Sequence, residues 1–173
     1  MKRTKVPKGK KHGDLSGLQN VMKNLHKAIE GIEVHSMKAL IRSVIIIRRD
    51  MDKVSPLIPV DLGNLRYSFF TVTGTSWWTD TGEVQPNKSP VFKGEEGSQL
   101  SAEHEALIQQ LKTDVRNKLI VYFGFSANYA TLVHELIDGT FQKPGSGAKF
   151  LELAIDRNRA KILQEIIKHA KIK

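Results

Sequence analysis

The feature that most constrains this chain is an apolar period over residues 15 to 54 with no proline inside it. Leu18, Val21, Met22, Leu25, Ile29 and Ile32 recur at spacings of three and four. Met37, Leu40, Ile41, Val44, Ile45, Ile47, Met51 and Val54 extend the row. Such spacing is that of one face of an α-helix. Asp14 is placed to cap the first turn, and Ser55-Pro56 ends the helix because proline disfavours helical geometry in the residue before it. Gly31 costs about 1 kcal/mol relative to alanine in a helix and is expected to mark a bend or break. Past it, Val44 to Ile47 point all round the axis, so that turn must be covered on more than one side, by the chain's own sheet or by a neighbouring subunit.

After the helix, Pro56 to Asn64 reads as a rigid turn. Gly63 can take positive φ, and Asp61 and Asn64 can bond to the turn amides. Arg66 to Thr73 alternates as a strand, and Leu119 to Phe125, dense in β-branched and aromatic residues, reads as another. Helices are expected from Ser101, over Ala127 to Leu136, and over roughly Ala148 to Ala170. These elements predict an α+β fold, with a long N-terminal helix and a C-terminal helix packed on a small, mainly antiparallel sheet. The domain spans 15–173, with a long insert at about 74–118 and a basic arm over 1–14. Within the insert, Trp77, Trp78 and Phe92 sit among glycines, prolines and polar residues. The two tryptophans either fold back on the domain or anchor a partner, and together with Phe92 they are assigned to a partner interface.

Charge is unevenly placed. The formal net charge is +9, and Lys2, Arg3, Lys5, Lys8, Lys10 and Lys11 stand in the first twelve residues without an acid. Without those six, 21 basic residues face 18 acidic ones, a net of +3. Pro7, Gly9 and Gly13 oppose helix there. The arm is either a solvated tail or a contact for DNA phosphates or an acidic protein surface. The chain has no cysteine, which excludes a disulfide framework and a thiolate metal site. No apolar run approaches the roughly 18 residues that cross a bilayer, and the basic start is not followed by the apolar stretch of a secretory signal.

Little in the chain reads as catalytic machinery. His134-Glu135 pairs a base with an acid, but a helical zinc site would need a second histidine at position 138, which is Asp138. Gly124-Phe125-Ser126-Ala127 lacks the last glycine of a nucleophile elbow. Pro144-Gly145-Ser146-Gly147 lacks the lysine of a phosphate loop. No catalytic, cofactor-binding or metal-binding residues are therefore assigned. His134 and Glu135 are expected at a helix end, in local hydrogen bonds or a subunit contact.

Three segments carry a resemblance. Pro59-Val60-Asp61-Leu62-Gly63-Asn64-Leu65-Arg66-Tyr67-Ser68 resembles a Pro-x-Asp-Thr-Gly-x-Leu-(Arg/Lys)-x-Ser signature. Tyr129-Ala130-Thr131-Leu132-Val133-His134-Glu135 and Phe150-Leu151-Glu152-Leu153-Ala154 follow in the same order. This succession, over about residues 20 to 170, is similar to the neck and tail-completion proteins of siphovirus-type tailed phages. The chain departs from the pattern at Leu62, where threonine is usual, and in its long insert. The resemblance implies a structural virion protein without enzymatic activity or cofactor, assembled in the host cytoplasm into a ring at the head–tail junction. Its implied partners are copies of itself, as a hexamer or dodecamer, and neighbouring head-closure or connector, tail-terminator and tail-tube proteins. Contact with packaged DNA is the arm's implied role, and no membrane is involved. A non-specific nucleic-acid-binding protein using the arm is the alternative reading, and a small hydrolase around His134-Glu135 a more distant one.

Overall fold

The computed structural model describes residues 15–74, 91–116 and 118–170. Within them the chain is α+β: α1 Leu15–Lys53, α2 Asn64–Tyr67, β1 Phe69–Thr73, α3 Gly97–Val115, β2 Val121–Phe125, α4 Ala130–Glu135 and α5 Phe150–Ala170. The strands form a two-stranded antiparallel sheet, with Phe69 opposite Phe125 and Thr73 opposite Val121. The long helix α1 packs against α5 and the strands. It runs through Gly31 without the expected break. A Cβ at that glycine would meet nothing within 4 Å, so the residue serves no close approach there.

The core forms where the second half of α1 meets everything else. Ile47 and Met51 join Ile58, Leu65, Phe92, Leu100, Ala127, Ala130, Phe150 and Ala154 in one buried cluster, with Phe69, Phe123 and Phe125 against it. The rings of Phe69, Phe125 and Phe150 stack edge to face with centroids 5.4 Å apart at each step. A smaller cluster of Met37 and Ile41 takes in Ile45 and Val121, tying α1 to the start of β2. Polar ties fix α1 on α5. The Arg157 guanidinium pairs with the Asp50 carboxylate and also donates to the Ser55 carbonyl at 3.3 Å. Arg42 Nη1 donates to His169 Nε2 at 2.7 Å.

The segment expected to be a strand from Arg66 opens instead as a helical turn. Asn64 to Tyr67 are helical, and the strand starts only at Phe69. Gly63, at φ 89°, turns the chain into α2. Ser68, fully buried, ends it by donating its hydroxyl to the Leu65 carbonyl at 2.8 Å.

Candidate functional site

Two of the three segments that carry the resemblance, Pro59 to Ser68 and Tyr129 to Glu135, converge on one pocket. Pro59, Val60, Asp61, Leu62, Gly63, Asn64 and Leu65 form one wall, Tyr129 and Val133 another, and Thr140, Phe141 and Gln142 a third, with Glu96 on the rim. The cavity holds about 350 Å³.

Each wall is positioned by local chemistry. Gly63 lies in the left-handed region, where a Cβ is strained, and a Cβ built there would sit 3.0 Å from the Tyr67 ring. Asn64 was expected to bond the turn amides. Its side chain, buried at 7 % exposure, instead clamps a distant backbone. Nδ2 donates to the Lys93 carbonyl and Oδ1 accepts from the Lys93 amide, both at 2.8 Å. This two-point bond holds the 91–96 segment against the turn and delivers Glu96 to the rim. The second wall is set by a short chain of bonds. The Ser126 amide donates to the Ser68 carbonyl at 3.0 Å, and the His104 ring meets the Ser126 hydroxyl at 2.7 Å. Buried Ala127 and Ala130 then seat the first turn of α4, from which Tyr129 and Val133 face the pocket.

The pocket is electrostatically negative. Asp61 and Glu96 supply two carboxylates, and among the described residues no Lys, Arg or His lines the cavity. Burial above all, then the negative charges of Glu96 and Asp61, push the Tyr129 phenol up from its ordinary value. The hydroxyl therefore stays protonated, as a donor and acceptor beside two anions.

Phe92 was expected at a partner interface and belongs to the core. It is only 8 % exposed, packs with Leu65 and Leu100, and sets its ring edge on to His104 at 5.9 Å. The Asn64 clamp on Lys93 draws it inward, while its neighbour Val91 is left 79 % exposed. Gly97 permits the close approach, since a Cβ there would lie 2.8 Å from the Phe92 carbonyl oxygen.

His134 and Glu135, the other expected contacts, form an intrachain seam between α4 and α5. His134 Nδ1 donates to Glu135 Oε1 at 2.8 Å, and Nε2 receives the Glu152 amide at 3.5 Å. Both ring nitrogens are thus engaged, the second by an otherwise orphan amide of the first turn of α5. Lys149 bridges Glu135 at 2.5 Å and Glu152 at 3.1 Å. Its hydrogen bond, followed by that of His134, holds the Glu135 carboxyl below its usual range. No three His, Cys, Asp or Glu side chains group to hold a metal ion among the described residues.

Trp77, Trp78 and the basic residues Lys2, Arg3, Lys5, Lys8, Lys10 and Lys11 lie outside the described residues. Tyr129 belongs to a recognised segment, but its role in a pocket depends on Glu96 and Phe141. Both come from stretches with no motif, and Glu96 is brought in by the Asn64–Lys93 bonds across 29 residues. No family model, no curated protein and no solved structure matches the chain; what the pocket can do follows from its own chemistry, an apolar cleft with a doubly negative rim.

Proposed function

We propose that this chain is a structural, non-enzymatic subunit of the tailed-phage head–tail junction, one that self-associates into a ring joining tail to head. The observation that carries the reading is the first half of α1. Every residue from Leu18 to Glu30 is exposed. The row Leu18, Val21, Met22, Leu25, Ile29 and Ile32 stands between 39 % and 63 % open to water. A two-turn helix end of this kind is ordinary; about five turns with a continuous apolar stripe are not, because helix propensity alone leaves such a segment marginal. Its stability calls for a surface that buries the stripe, and a subunit built to meet its neighbours provides one. The order of the three segments similar to neck and tail-completion proteins supports the same reading. So does the placement of His134 and Glu135, whose bonds are spent holding α5 in place.

Light scattering over a rising concentration series tests this. The expected result is a mass several times that of the monomer, which Leu25→Asp with Ile29→Asp returns to one chain while thermal unfolding stays cooperative. A wild-type protein that remains monomeric throughout the series overturns the ring.

A further inference from the structure

The pocket beside the Pro59–Leu65 turn has a rim chemistry that the described residues do not use. Asp61 and Glu96 face a cleft walled by Pro59, Val133 and Phe141, with no cationic side chain in its lining among the described residues. The same chain carries the complementary chemistry at its other end. Lys5-Val6-Pro7-Lys8 presents a small apolar pair between two cations. We propose that the pocket receives this basic segment from a second copy of the chain, with Val6-Pro7 against the apolar wall and Lys5 and Lys8 beside Asp61 and Glu96. The contact deepens the ring reading and rests on it for its setting.

Charge selects the segment, and length decides which copy supplies it. A helix rises 1.5 Å per residue, so Leu15 lies about 50 Å along α1 from Arg48. Arg48 marks the turn's end of the helix, since its guanidinium donates to the Arg66 carbonyl at 3.4 Å. Seven residues from Lys8 to Leu15 span at most about 25 Å when fully extended. The segment therefore falls far short of its own pocket and can fill only that of a neighbour. A pocket at one end of the molecule and its ligand at the other make a head-to-tail contact, the kind that closes into a ring when the rotation allows. Proline at the centre suits this docking, because an extended proline-bearing segment loses little conformational freedom on an aromatic wall.

The absence of cysteine makes the test direct. A full-length Val6→Cys copy is mixed with a full-length Leu62→Cys copy, and disulfide-linked heterodimers are counted by mass under mild oxidation. A Leu163→Cys copy, altered on the outer face of α5, serves as control. Docking should make the first pair form about tenfold faster than the control pair, through raised effective concentration. Asp61→Asn with Glu96→Gln in the Leu62→Cys copy should return the rate to the control, as should high salt. A chain bearing both Val6→Cys and Leu62→Cys should give covalent dimers and longer species. Internally closed monomers would overturn the trans arrangement. Equal rates for both pairs overturn the contact, including the case in which duplex DNA engages the arm instead. Equal rates in a protein that light scattering still finds oligomeric remove this contact alone. A monomeric protein whose pairing still outruns the control keeps the contact and removes the ring.

Discussion

The two halves of α1 share one helix and one apolar period, yet meet opposite fates. In the first, Leu18 is 58 % exposed and Leu25 57 %. In the second, Met37 is 2 % exposed, Ile47 4 % and Met51 0 %. Intrinsic pattern does not separate them; cover does. Val121 of β2 reaches Met37 and Ile41, and α5 is tied on through Arg42 and Asp50. Those elements leave the stretch before Gly31 uncovered. A three-and-four spacing thus reports the helix and its sticky side, while burial is a property of what arrives from elsewhere in the chain or from another chain.

The sharpest way to break this contrast is a matched pair of truncations. Met51→Ala, in the centre of the main cluster, should cost about 2–5 kcal/mol in urea unfolding, because it removes buried area and leaves a cavity. Leu25→Ala should stay within about 0.5 kcal/mol in protein dilute enough to be monomeric, as surface substitutions do. Equal losses would mean that the first half of α1 is covered within the monomer.

The next test acts on the turn that carries the chain back from the buried half. Gly63→Val places a β-branched side chain at φ 89° and drives its Cβ into the Tyr67 ring. A cost of about 1–3 kcal/mol is expected from the backbone alone. Hydrogen exchange should show the loss in α2 and the second half of α1, with residues 18 to 30 unaffected because they lie outside the buried clusters that the turn supports. Uniform loss along α1 would show the two halves to be one cooperative unit.

Much of this contrast was legible in the sequence, and the illegible parts share a cause. The expected helix 15 to 54 is observed as Leu15–Lys53, and the last helix and second strand fall within a few residues of expectation. Long periodic segments declare themselves because many side chains repeat one message. The strand start was misplaced because Tyr67, Phe69, Thr71 and Thr73 alternate without a visible seam, while a glycine in the left-handed region and a buried serine hydroxyl impose one turn of helix first. The inward placement of Phe92 and the delivery of Glu96 to the pocket leave no mark in the sequence, because both depend on the Asn64 clamp, a bond between residues 29 apart in a stretch with no pattern of its own. Short polar contacts at long range leave no period to read.

The smallest effect concerns the bond that holds the buried half of α1 to α5. His169 accepts from Arg42 at Nε2, so its ring is neutral. Burial first, then the Arg42 charge, lower its pKa, with Lys168 and His35 acting in the same direction and Glu165 opposing. His104, bonded to Ser126, is lowered in the same direction by burial, with Glu105 opposing. For both groups the folded value lies below the unfolded 6.5. As pH falls below 6.5 the unfolded chain takes up protons that the folded chain does not, so stability declines between 6.5 and the folded value and is level above 6.5. Both sites are partly open to solvent, which keeps the effect modest. Thermal unfolding scanned from about pH 8 to about pH 5.5 should show a melting temperature that is flat and then descends. His104→Gln with His169→Gln should flatten the descent, whatever offset each substitution brings at neutral pH. A melting temperature that rises on acidification, or a descent unchanged in the double variant, would place the acid sensitivity elsewhere. It would also leave the Arg42–His169 bond with no measurable part in fastening the covered half of the helix.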